Sequence, residues 1–478
     1  MYTLMVVVFV IGYLFIALEH NFLIDKAASA LVTGITLWTI LVFGADVIYG
    51  VDYGWSITEF VGSSGDFIKP LREYLEGLNV AKLSADDSTG SVLNHFIGHE
   101  LQHHVVEIAE ILFFLLGAMT IVELIDAHGG FSVITDKITT TKKSTLIWIL
   151  SLLTFFFSAA LDNLTTAIVM AALLKKLIED KEDLWLFAGV TVIAANSGGA
   201  WSPIGDVTTI MLWIGGQITA ANIVTNVFVP SLISLLVPLI ILSFTLKGNV
   251  KKPSTEGLDE DQEITTDKER KLVFFLGVIS LLQVPVYKTL THLPPFMGVL
   301  LGLGMMWTLT EILHRRKSAR AKSKLSVANV LRKIDTSSIM FFLGILLAVG
   351  SLQSAGHLTQ MAAGLEKAFN GNIYAIDIVI GLLSSIVDNV PLVAGAMGMY
   401  EIGPLQTGVS YPVDHEFWEF LAYTAGTGGS CLIIGSAAGV AIMGLVKINF
   451  VWYIKRISLL ALAGYLAGGA YYYVIHGM

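Results

Sequence analysis

The sequence predicts an all-α polytopic membrane protein, and three observations carry this prediction. Of 478 residues, 54% are hydrophobic and only 14% are charged, whereas soluble domains carry roughly 25% charged residues. The mean hydropathy is +0.72, and apolar runs near the ~20 residues that cross a bilayer recur along the chain. Polar and Gly-rich interruptions of these runs also occur twice, in the same order.

Apolar runs without an interruption predict the complete spans. They lie at 2–18, 27–50, 104–126, 221–246, 271–286, 296–313, 336–356 and 451–474. The first run lacks a basic start and a small-residue cleavage site, so we expect a retained span and not a signal peptide. The single cysteine, Cys431, excludes an internal disulfide and a Cys-based metal site.

Basic residues predict which loops face the cytoplasm. The loop 314–334 holds Arg315, Arg316, Lys317, Arg320, Lys322, Lys324, Arg332 and Lys333. The positive-inside rule places such a loop in the cytoplasm. The segment 247–270 is also basic, and two predicted spans separate it from 314–334, so both fall on the same side. We expect 247–270 to be a solvated cytoplasmic linker between the halves 1–246 and 271–478.

Two further apolar runs are too long for one span and too short for two. A pair of lysines stands at each end of the first, 144–176, so the chain enters and leaves on the same side. This predicts a re-entrant hairpin of two half-length helices that meet near Leu161–Thr165. The run 373–400 predicts a second hairpin, which enters from the outside. Broken helices at membrane depth are tolerated only where protein or a watery cavity surrounds them.

A helix with a Gly-rich interruption follows each hairpin. The first, 184–216, contains "AANSGGAWSPIGDVTT", and the second, 416–446, contains "AGTGGSCLIIGSAAG". The Gly-Gly pairs recur at a spacing of 230 residues, and the Asp-Asn pairs of the hairpins recur at 226. These matches indicate an internal duplication, with about five crossings per half and about ten transmembrane helices. Because five is odd, the repeats are inverted, which is typical of secondary transporters with a site at the membrane midplane.

Three acidic residues accompany the breaks: Asp162 and Asp388 in the hairpins, and Asp206 after the first interruption. A charged Asp at the centre of a lone helix costs roughly 2.5–3.5 kcal/mol and by default marks a functional site. The surrounding amides and hydroxyls are Asn163, Thr165, Thr166, Asn196, Ser197, Thr208, Asn389, Ser430 and Ser436. These oxygen ligands suit a small hard cation, and a buried carboxylate can alternatively hold a proton. Competition of a cation and a proton for one site is the simplest exchange mechanism.

Helix capping is the competing interpretation of these acids. Asp, Asn, Ser and Thr are the preferred N-caps, so Asp162 and Asp206 could serve as caps and nothing more. Ser or Asn would cap without burying a charge, however, and the Asp-Asn pair occurs in both hairpins. These two facts favour a functional role, more strongly for Asp162 and Asp388 than for Asp206, whose counterpart in the repeat is Ser436.

The stretch "NHFIGHELQHH" contains HExxH at 99–103, the signature of zinc proteases. On a helix, His95, His99 and His103 would share one face. No second motif supplies a third ligand, so a membrane metalloprotease is a distant alternative. An amphipathic helix at the outer interface fits better, and a pH sensor is a further hypothesis. Candidates for a proton relay in the next span are Glu107, Glu110 and Glu123.

The motifs "ALDNLTTAIVM", "ANSGGAWSPIGDVTTIMLW" and "IVDNVPLVAGAMGMY" resemble those of the NhaD-type sodium/proton antiporters. So does "HELQHHVVEIAEILFFLLGAMTIVELIDAHGGF", and the similarity covers nearly the whole chain. That family belongs to the ion transporter superfamily, with arsenite permeases and sodium-coupled dicarboxylate carriers. The resemblance implies exchange of cytoplasmic sodium, and of lithium, for external protons across the cytoplasmic membrane. It implies a homodimer with a scaffold and a moving transport domain, and it maps sodium onto Asp162, Asn163, Asp388 and Asn389.

Lys and Arg are absent from 144–174, 182–246 and 368–446, so an anionic substrate would have only helix N-termini and co-bound cations to hold it. The dicarboxylate carriers have Ser-Asn-Thr at the hairpin tips. This chain has Asp-Asn there instead, and the carboxylate favours a cation as the cargo. A dicarboxylate or oxyanion carrier on the same fold remains the alternative. We expect no enzymatic activity, no cofactor and no nucleic-acid partner; the partners are the ions and the lipid bilayer.

Overall fold

The computed structural model of the chain describes residues 1–17, 19–53, 55, 60, 63, 69–77, 88–251, 253, 265–315, 317–406 and 409–477. Some predicted features lie outside the described residues. They are Leu18 of the first span, residues 252 and 254–264 of the linker, and Arg316 of the basic loop.

The described residues are predominantly helical. Up to residue 246 the helices are Tyr2–Ala17, Glu19–Phe22, Lys26–Phe43, Ala45–Tyr49, Lys69–Gly77, Thr89–Ala127, Ser132–Thr135, Lys143–Leu161, Asn163–Leu177, Lys181–Ala200, Val207–Ile214 and Ala220–Thr245. Beyond residue 264 they are Asp267–Leu282, Val284–Thr291, Pro295–His314, Ala319–Leu325, Val327–Leu331, Thr336–Ser354, His357–Phe369, Ile373–Leu383, Asn389–Met399, Glu416–Gly428, Ala437–Val446, Phe450–Tyr453, the π-helix Ile454–Ser458, and Leu459–His476. The strands Glu401–Ile402 and Ser410–Tyr411 form a short parallel pair, with Glu401 opposite Ser410.

The chain is an all-α, multi-pass membrane protein. Seven helices among the described residues are long and apolar enough to cross a bilayer: Lys26–Phe43, Thr89–Ala127, Lys143–Leu161, Ala220–Thr245, Pro295–His314, Thr336–Ser354 and Phe450–His476. The pair Asp267–Leu282 and Val284–Thr291, bent by 41°, makes an eighth candidate. The helix containing the predicted span 104–126 begins at Thr89 and runs for 39 residues, because the histidine-rich stretch continues the same helix.

Helices Lys143–Leu161 and Asn163–Leu177, here called the first helix pair, meet at Asp162. Asp162 has a φ of 74°, a left-handed conformation that a helix cannot continue through. The first arm has 19 residues and therefore rises about 28 Å, longer than the half-length helix expected from the sequence. At the start of this arm, Lys143 forms an ion pair of 2.6 Å with Asp183.

The first broken helix consists of Lys181–Ala200 and Val207–Ile214. Asp180 caps its start by accepting from the backbone N–H of Asp183. The second helix pair consists of Ile373–Leu383 and Asn389–Met399, and the second broken helix of Glu416–Gly428 and Ala437–Val446. The breaks fall where the sequence has its Asp-Asn pairs and its Gly-rich stretches.

The chain divides into two compact units. The first comprises Met1–Leu112, Asp335–Gly371 and Ala394–Tyr411. Within it, Lys26–Phe43 packs closely on Thr336–Ser354, since a Cβ at Gly344 would collide with the backbone of Ala30 and Leu31. The second comprises Phe113–Ile334, Asn372–Val393 and Pro412–Met478. In the second unit, every residue from Phe187 to Ala200 is buried, so the first broken helix forms part of the core.

Equivalent contacts hold each broken helix against its helix pair. A Cβ at Gly198 would overlap the carbonyl oxygen of Phe155, and one at Gly428 would overlap that of Gly381. A second contact comes from two serines: the hydroxyl of Ser158 donates to Ala195 O at 2.5 Å, and that of Ser384 donates to Ala425 O at 2.8 Å. The two sets of contacts keep the same spacings, 226 and 230, as the repeated motifs.

Candidate functional site

Asp206 lies at the centre of a buried polar cluster in the second unit. Its residue is 1% exposed, and it is the N-cap of Val207–Ile214. The Oδ1 atom accepts from the backbone N–H of Thr208 at 3.2 Å. A cap of this kind satisfies one of the free amides at a helix start. The sequence folds this way because Ile204 and Gly205 end the interruption and Asp206 restarts the helix.

The carboxylate of Asp206 also accepts two side-chain amides, one from each helix pair. Asn163 Nδ2 donates to Oδ2 at 2.9 Å. Asn389 Nδ2 donates to Oδ2 at 3.1 Å and lies 3.4 Å from Oδ1. Both asparagines are buried. The two Asp-Asn motifs, 226 residues apart in sequence, therefore converge on one carboxylate.

Asn196 extends the cluster to the second broken helix. Its Oδ1 accepts from Asn163 Nδ2 at 3.2 Å. Its Nδ2 donates to Ser430 Oγ at 3.0 Å and to Ser436 Oγ at 2.9 Å. Ser436 is the N-cap of Ala437–Val446, the position that Asp206 occupies in the first broken helix. The chain of hydrogen bonds thus links both breaks through side chains that could all offer oxygen to a cation.

Asp162 caps the second arm of its own pair. Its Oδ1 accepts the backbone N–H of Thr165 at 2.8 Å, and its Oδ2 accepts the hydroxyl of Thr165 at 2.8 Å. Asp388 is half-buried, and its Oδ1 accepts the backbone N–H of Val390 at 3.3 Å. Both carboxylates lie within electrostatic reach of Asp206. In each pair, the aspartate caps the following helix and the asparagine reaches Asp206.

Three other predicted ligands differ in their surroundings. Thr166 is fully buried, and its Oγ1 forms no hydrogen bond among the described residues. Thr208 is fully buried beside Asp206 and contributes the backbone N–H already described. Ser197 lies 2.7 Å, Oγ to Oγ, from Ser234 on Ala220–Thr245. Its hydroxyl is therefore engaged with that helix and not with the Asp206 cluster.

Helix dipoles add to the field at this cluster. The helices Asn163–Leu177, Val207–Ile214 and Ala437–Val446 all begin at residues of the cluster or next to it. A helix N-terminus carries roughly half a positive charge. The partial charges favour an anionic carboxylate at Asp206, and the flanking sequence, 182–246, contains no Lys or Arg.

Two buried acids were not predicted from the sequence. Glu419, 2% exposed, accepts from Tyr472 Oη at 2.7 Å, from Asn226 Nδ2 at 3.0 Å and from Asn222 Nδ2. Asp377 is fully buried, and neither of its carboxylate oxygens forms a hydrogen bond among the described residues. The signal for both was present: each is an acid within a strongly apolar helix, the pattern that singled out Asp162.

The histidine-rich stretch lies in the first unit, on Thr89–Ala127. His95, His99 and His103 are all exposed, and they share one face as expected from their spacing. Glu100, the acid of the HExxH pattern, accepts a hydrogen bond from Ser354 Oγ at 3.1 Å. The relay candidates differ in burial: Glu107 is exposed, Glu110 is half-buried, and Glu123 pairs with Lys333 at 3.2 Å.

Comparison with known proteins identifies the family. A family profile described as citrate transporter matches residues 13–418. The chain is 48% identical over 380 residues to sodium/proton antiporter 2 of Arabidopsis thaliana, covering 79% of this chain and 88% of that protein. The Na(+)/H(+) antiporter NhaD of Vibrio cholerae is 33% identical over 381 residues, covering 74% and 76%. The chain belongs to the NhaD-type sodium/proton antiporters. The family resemblance seen in the sequence motifs is thereby confirmed.

The match to one further relative covers only part of that relative's length. Sodium/proton antiporter 1 of Arabidopsis thaliana is 50% identical over 379 residues, which cover 79% of this chain but only 64% of that protein. The chain thus spans less than two thirds of the length of that relative. In this NhaD-type chain, the two Asp-Asn pairs and the first Gly-rich break lie around Asp206.

Proposed function

We propose that this chain exchanges cytoplasmic sodium, and also lithium, for external protons, and so serves sodium and pH homeostasis. The observation that carries the proposal is the double contact of Asp206 with Asn163 and Asn389. The names of the relatives, sodium/proton antiporter and Na(+)/H(+) antiporter NhaD, support the same assignment. The cytoplasmic membrane and a homodimer with a moving transport domain are part of the proposal.

The proposed architecture is two inverted repeats, 1–246 and 271–478, each with a re-entrant hairpin and an interrupted helix. The two helix pairs would be the hairpins, and the two broken helices would complete about ten crossings. The equivalent contacts of Gly198 and Gly428 support this duplication. Inverted repeats place broken helices opposite one another around a midplane site.

The chemistry follows from the burial of Asp206. A buried carboxylate must be balanced by a counter-charge or by hydrogen bonds, or be neutralised by a proton. Sodium is held by carboxylate, amide and hydroxyl oxygens, and rotation of an Asn amide by 180° presents Oδ1 where Nδ2 now lies. Asn163, Asn389 and Asn196, with the hydroxyls of Ser430 and Ser436, can then complete the ligand set.

Exchange results because the two cargoes exclude each other. A proton on Asp206 removes the negative charge that holds sodium, and sodium bound to Asp206 disfavours the proton. Alternating exposure of one such site to the two sides of the membrane moves sodium outward and protons inward. The carboxylates of Asp162 and Asp388 lie within electrostatic reach of Asp206 and make the site more negative.

Reconstitution tests the cargo directly. Proteoliposomes carrying a pH gradient, acid inside, receive sodium, lithium, potassium, arsenite or succinate, and the internal pH is followed. We expect sodium and lithium to dissipate the gradient. Uptake of succinate or arsenite without sodium-evoked proton release would instead establish the carrier alternative. Empty liposomes control for passive leak.

A further inference from the structure

Helix Thr89–Ala127 carries a cluster of side chains that the proposed exchange does not use. His103, His104 and Glu107 each place one nitrogen or carboxylate oxygen within 4.8 Å of the other two. Glu107 follows His103 by four residues and His104 by three, so it lies on the same helix surface as both. All three belong to the first unit. The sequence pattern HExxH pointed to this region, but it did not single out His104.

A chain of hydrogen bonds fixes the tautomer of His104. The residue is only 7% exposed, and its Nε2 lies 3.2 Å from Ser354 Oγ. The hydroxyl of Ser354 donates to Glu100 Oε2 at 3.1 Å. A serine hydroxyl has one proton, and the carboxylate only accepts, so Ser354 must accept from Nε2–H of His104. In the neutral imidazole, the Nδ1 atom of His104 then carries the lone pair.

That lone pair faces another acceptor. His104 Nδ1 lies 3.6 Å from Glu107 Oε2, and His103 Nδ1 lies 3.8 Å from Glu107 Oε1. A lone pair on Nδ1 and a carboxylate oxygen repel each other unless a metal ion or a proton lies between them, and the three clustered ligand atoms offer a metal ion two nitrogens and one oxygen. The side chains of His103 and Glu107 are 62% and 57% exposed, so both can adjust to close around an ion.

The surroundings hold the His104 ring in place for such a role. A Cβ at Gly350 would lie 3.0 Å from Cγ of His104, so the ring rests directly on Thr336–Ser354. The Trp38 ring lies 6.1 Å from it on another side. Metal-binding histidines typically donate the second ring N–H to a fixed polar partner, which orients the ring and raises its basicity. Ser354 and Glu100 supply that arrangement here.

We propose that His103, His104 and Glu107 bind one divalent transition-metal ion of the zinc type. Two imidazole nitrogens and one carboxylate oxygen match a three-ligand zinc site that keeps one position for water. Ser354 acts as a positioning residue through its hydrogen bond with His104 Nε2. The site is independent of the sodium and proton cargo, and nothing in it depends on the exchange reaction.

Calorimetric titration of the detergent-purified, chelator-treated chain with zinc chloride tests the proposal. We expect one ion per chain, with binding abolished by His104→Gln or Glu107→Gln. Ser354→Ala should lower the zinc affinity by about 10-fold or more, because loss of the hydrogen-bond partner of a metal-binding histidine usually has an effect of that size. The melting temperature without zinc, measured for each variant, shows whether the chain still folds.

His99→Gln is the matched control, because His99 is exposed on the same helix, one turn earlier, and lies outside the cluster. Its zinc affinity should equal that of the parent chain. Absence of zinc binding, or loss of binding with His99→Gln but not with His104→Gln, would overturn the proposal. Sodium-evoked proton release, measured after the same protein is reconstituted in liposomes, separates failure of this site from failure of the proposed exchange.

Discussion

Asn389 donates its side-chain amide to the carboxylate of Asp206, at 3.1 Å to Oδ2, across 183 residues of sequence. Asn163 donates to the same oxygen at 2.9 Å. One carboxylate thus receives equivalent amides from the two helix pairs. Asp206 caps Val207–Ile214, whereas Ser436 caps Ala437–Val446, so these two helix starts supply the cluster with one carboxylate, not two.

Removal of either amide should weaken sodium binding. Asn163→Ala and Asn389→Ala each delete a hydrogen-bond partner of a buried carboxylate, which is worth about 1.5–3 kcal/mol. We expect the sodium concentration that half-saturates exchange to rise roughly 10- to 100-fold, by that conversion. Sodium titrations of proton release in proteoliposomes measure it. Ser197→Ala, whose hydroxyl contacts Ser234, should leave the half-saturating concentration unchanged, and an equal rise in this control would contradict the assignment.

Substitutions of Asp162 can distinguish its role as a helix cap from the role of its negative charge. Asn caps a helix about as well as Asp, so Asp162→Asn should keep the melting temperature of the parent chain. We expect it to abolish exchange, because the negative charge near Asp206 is lost. Asp162→Ala should also lower the melting temperature, since the cap contributes about 1 kcal/mol. Wild-type exchange by Asp162→Asn would reduce this residue to a cap.

The close helix contacts at Gly198 and Gly428 predict that alanine at either position destabilises the protein. Gly198→Ala and Gly428→Ala would each force a methyl group into a backbone carbonyl oxygen, and overpacking of this kind costs about 1–3 kcal/mol. Both variants should melt at lower temperature. Gly304→Ala is the control, since among the described residues no atom outside its own helical turn lies within 4 Å of the added Cβ, and it should melt no lower than the parent. Tolerance of alanine at 198 and 428 would argue against the tight packing of the broken helices.

The two unpredicted acids should respond oppositely to an apolar replacement. Asp377→Val removes a buried carboxyl whose oxygens have no hydrogen bond among the described residues, so we expect a higher melting temperature. Glu419→Val leaves the hydrogen-bond donors of Asn226 and Tyr472 without their acceptor, so we expect a lower melting temperature. Thermal unfolding in detergent measures both. Destabilisation by Asp377→Val would show that this carboxyl has a partner or function of its own.

Much of the fold follows from the sequence because the bilayer imposes simple rules. Run length and lysine positions predicted the helices, and the polar motifs marked the breaks at Asp162 and Asp206. The pairing inside the site could not be predicted, because it depends on side-chain directions. The resemblance mapped sodium onto Asp162, Asn163, Asp388 and Asn389 without a distinction between them. In the structure Asp162 turns to Thr165, whereas Asn163 reaches Asp206.

His104 and Ser197 also have contacts that could not be predicted from the sequence. His104 follows His103 directly in sequence, yet one is buried and the other exposed, because a single helical step turns the side chain by about 100° toward Ser354. Ser197 adjoins Asn196, but its hydroxyl contacts Ser234 on another helix. Contacts between elements that are far apart in the chain cannot be predicted from local composition.

The most direct test of the central role of Asp206 is proton release from acid-loaded proteoliposomes on addition of sodium, measured for Asp206→Asn beside the parent chain at equal protein content. Asn can still cap Val207–Ile214, so the variant should insert and fold. The account predicts sodium-evoked proton release by the parent and none by Asp206→Asn. Sodium-evoked release by the variant at the parental rate would contradict it.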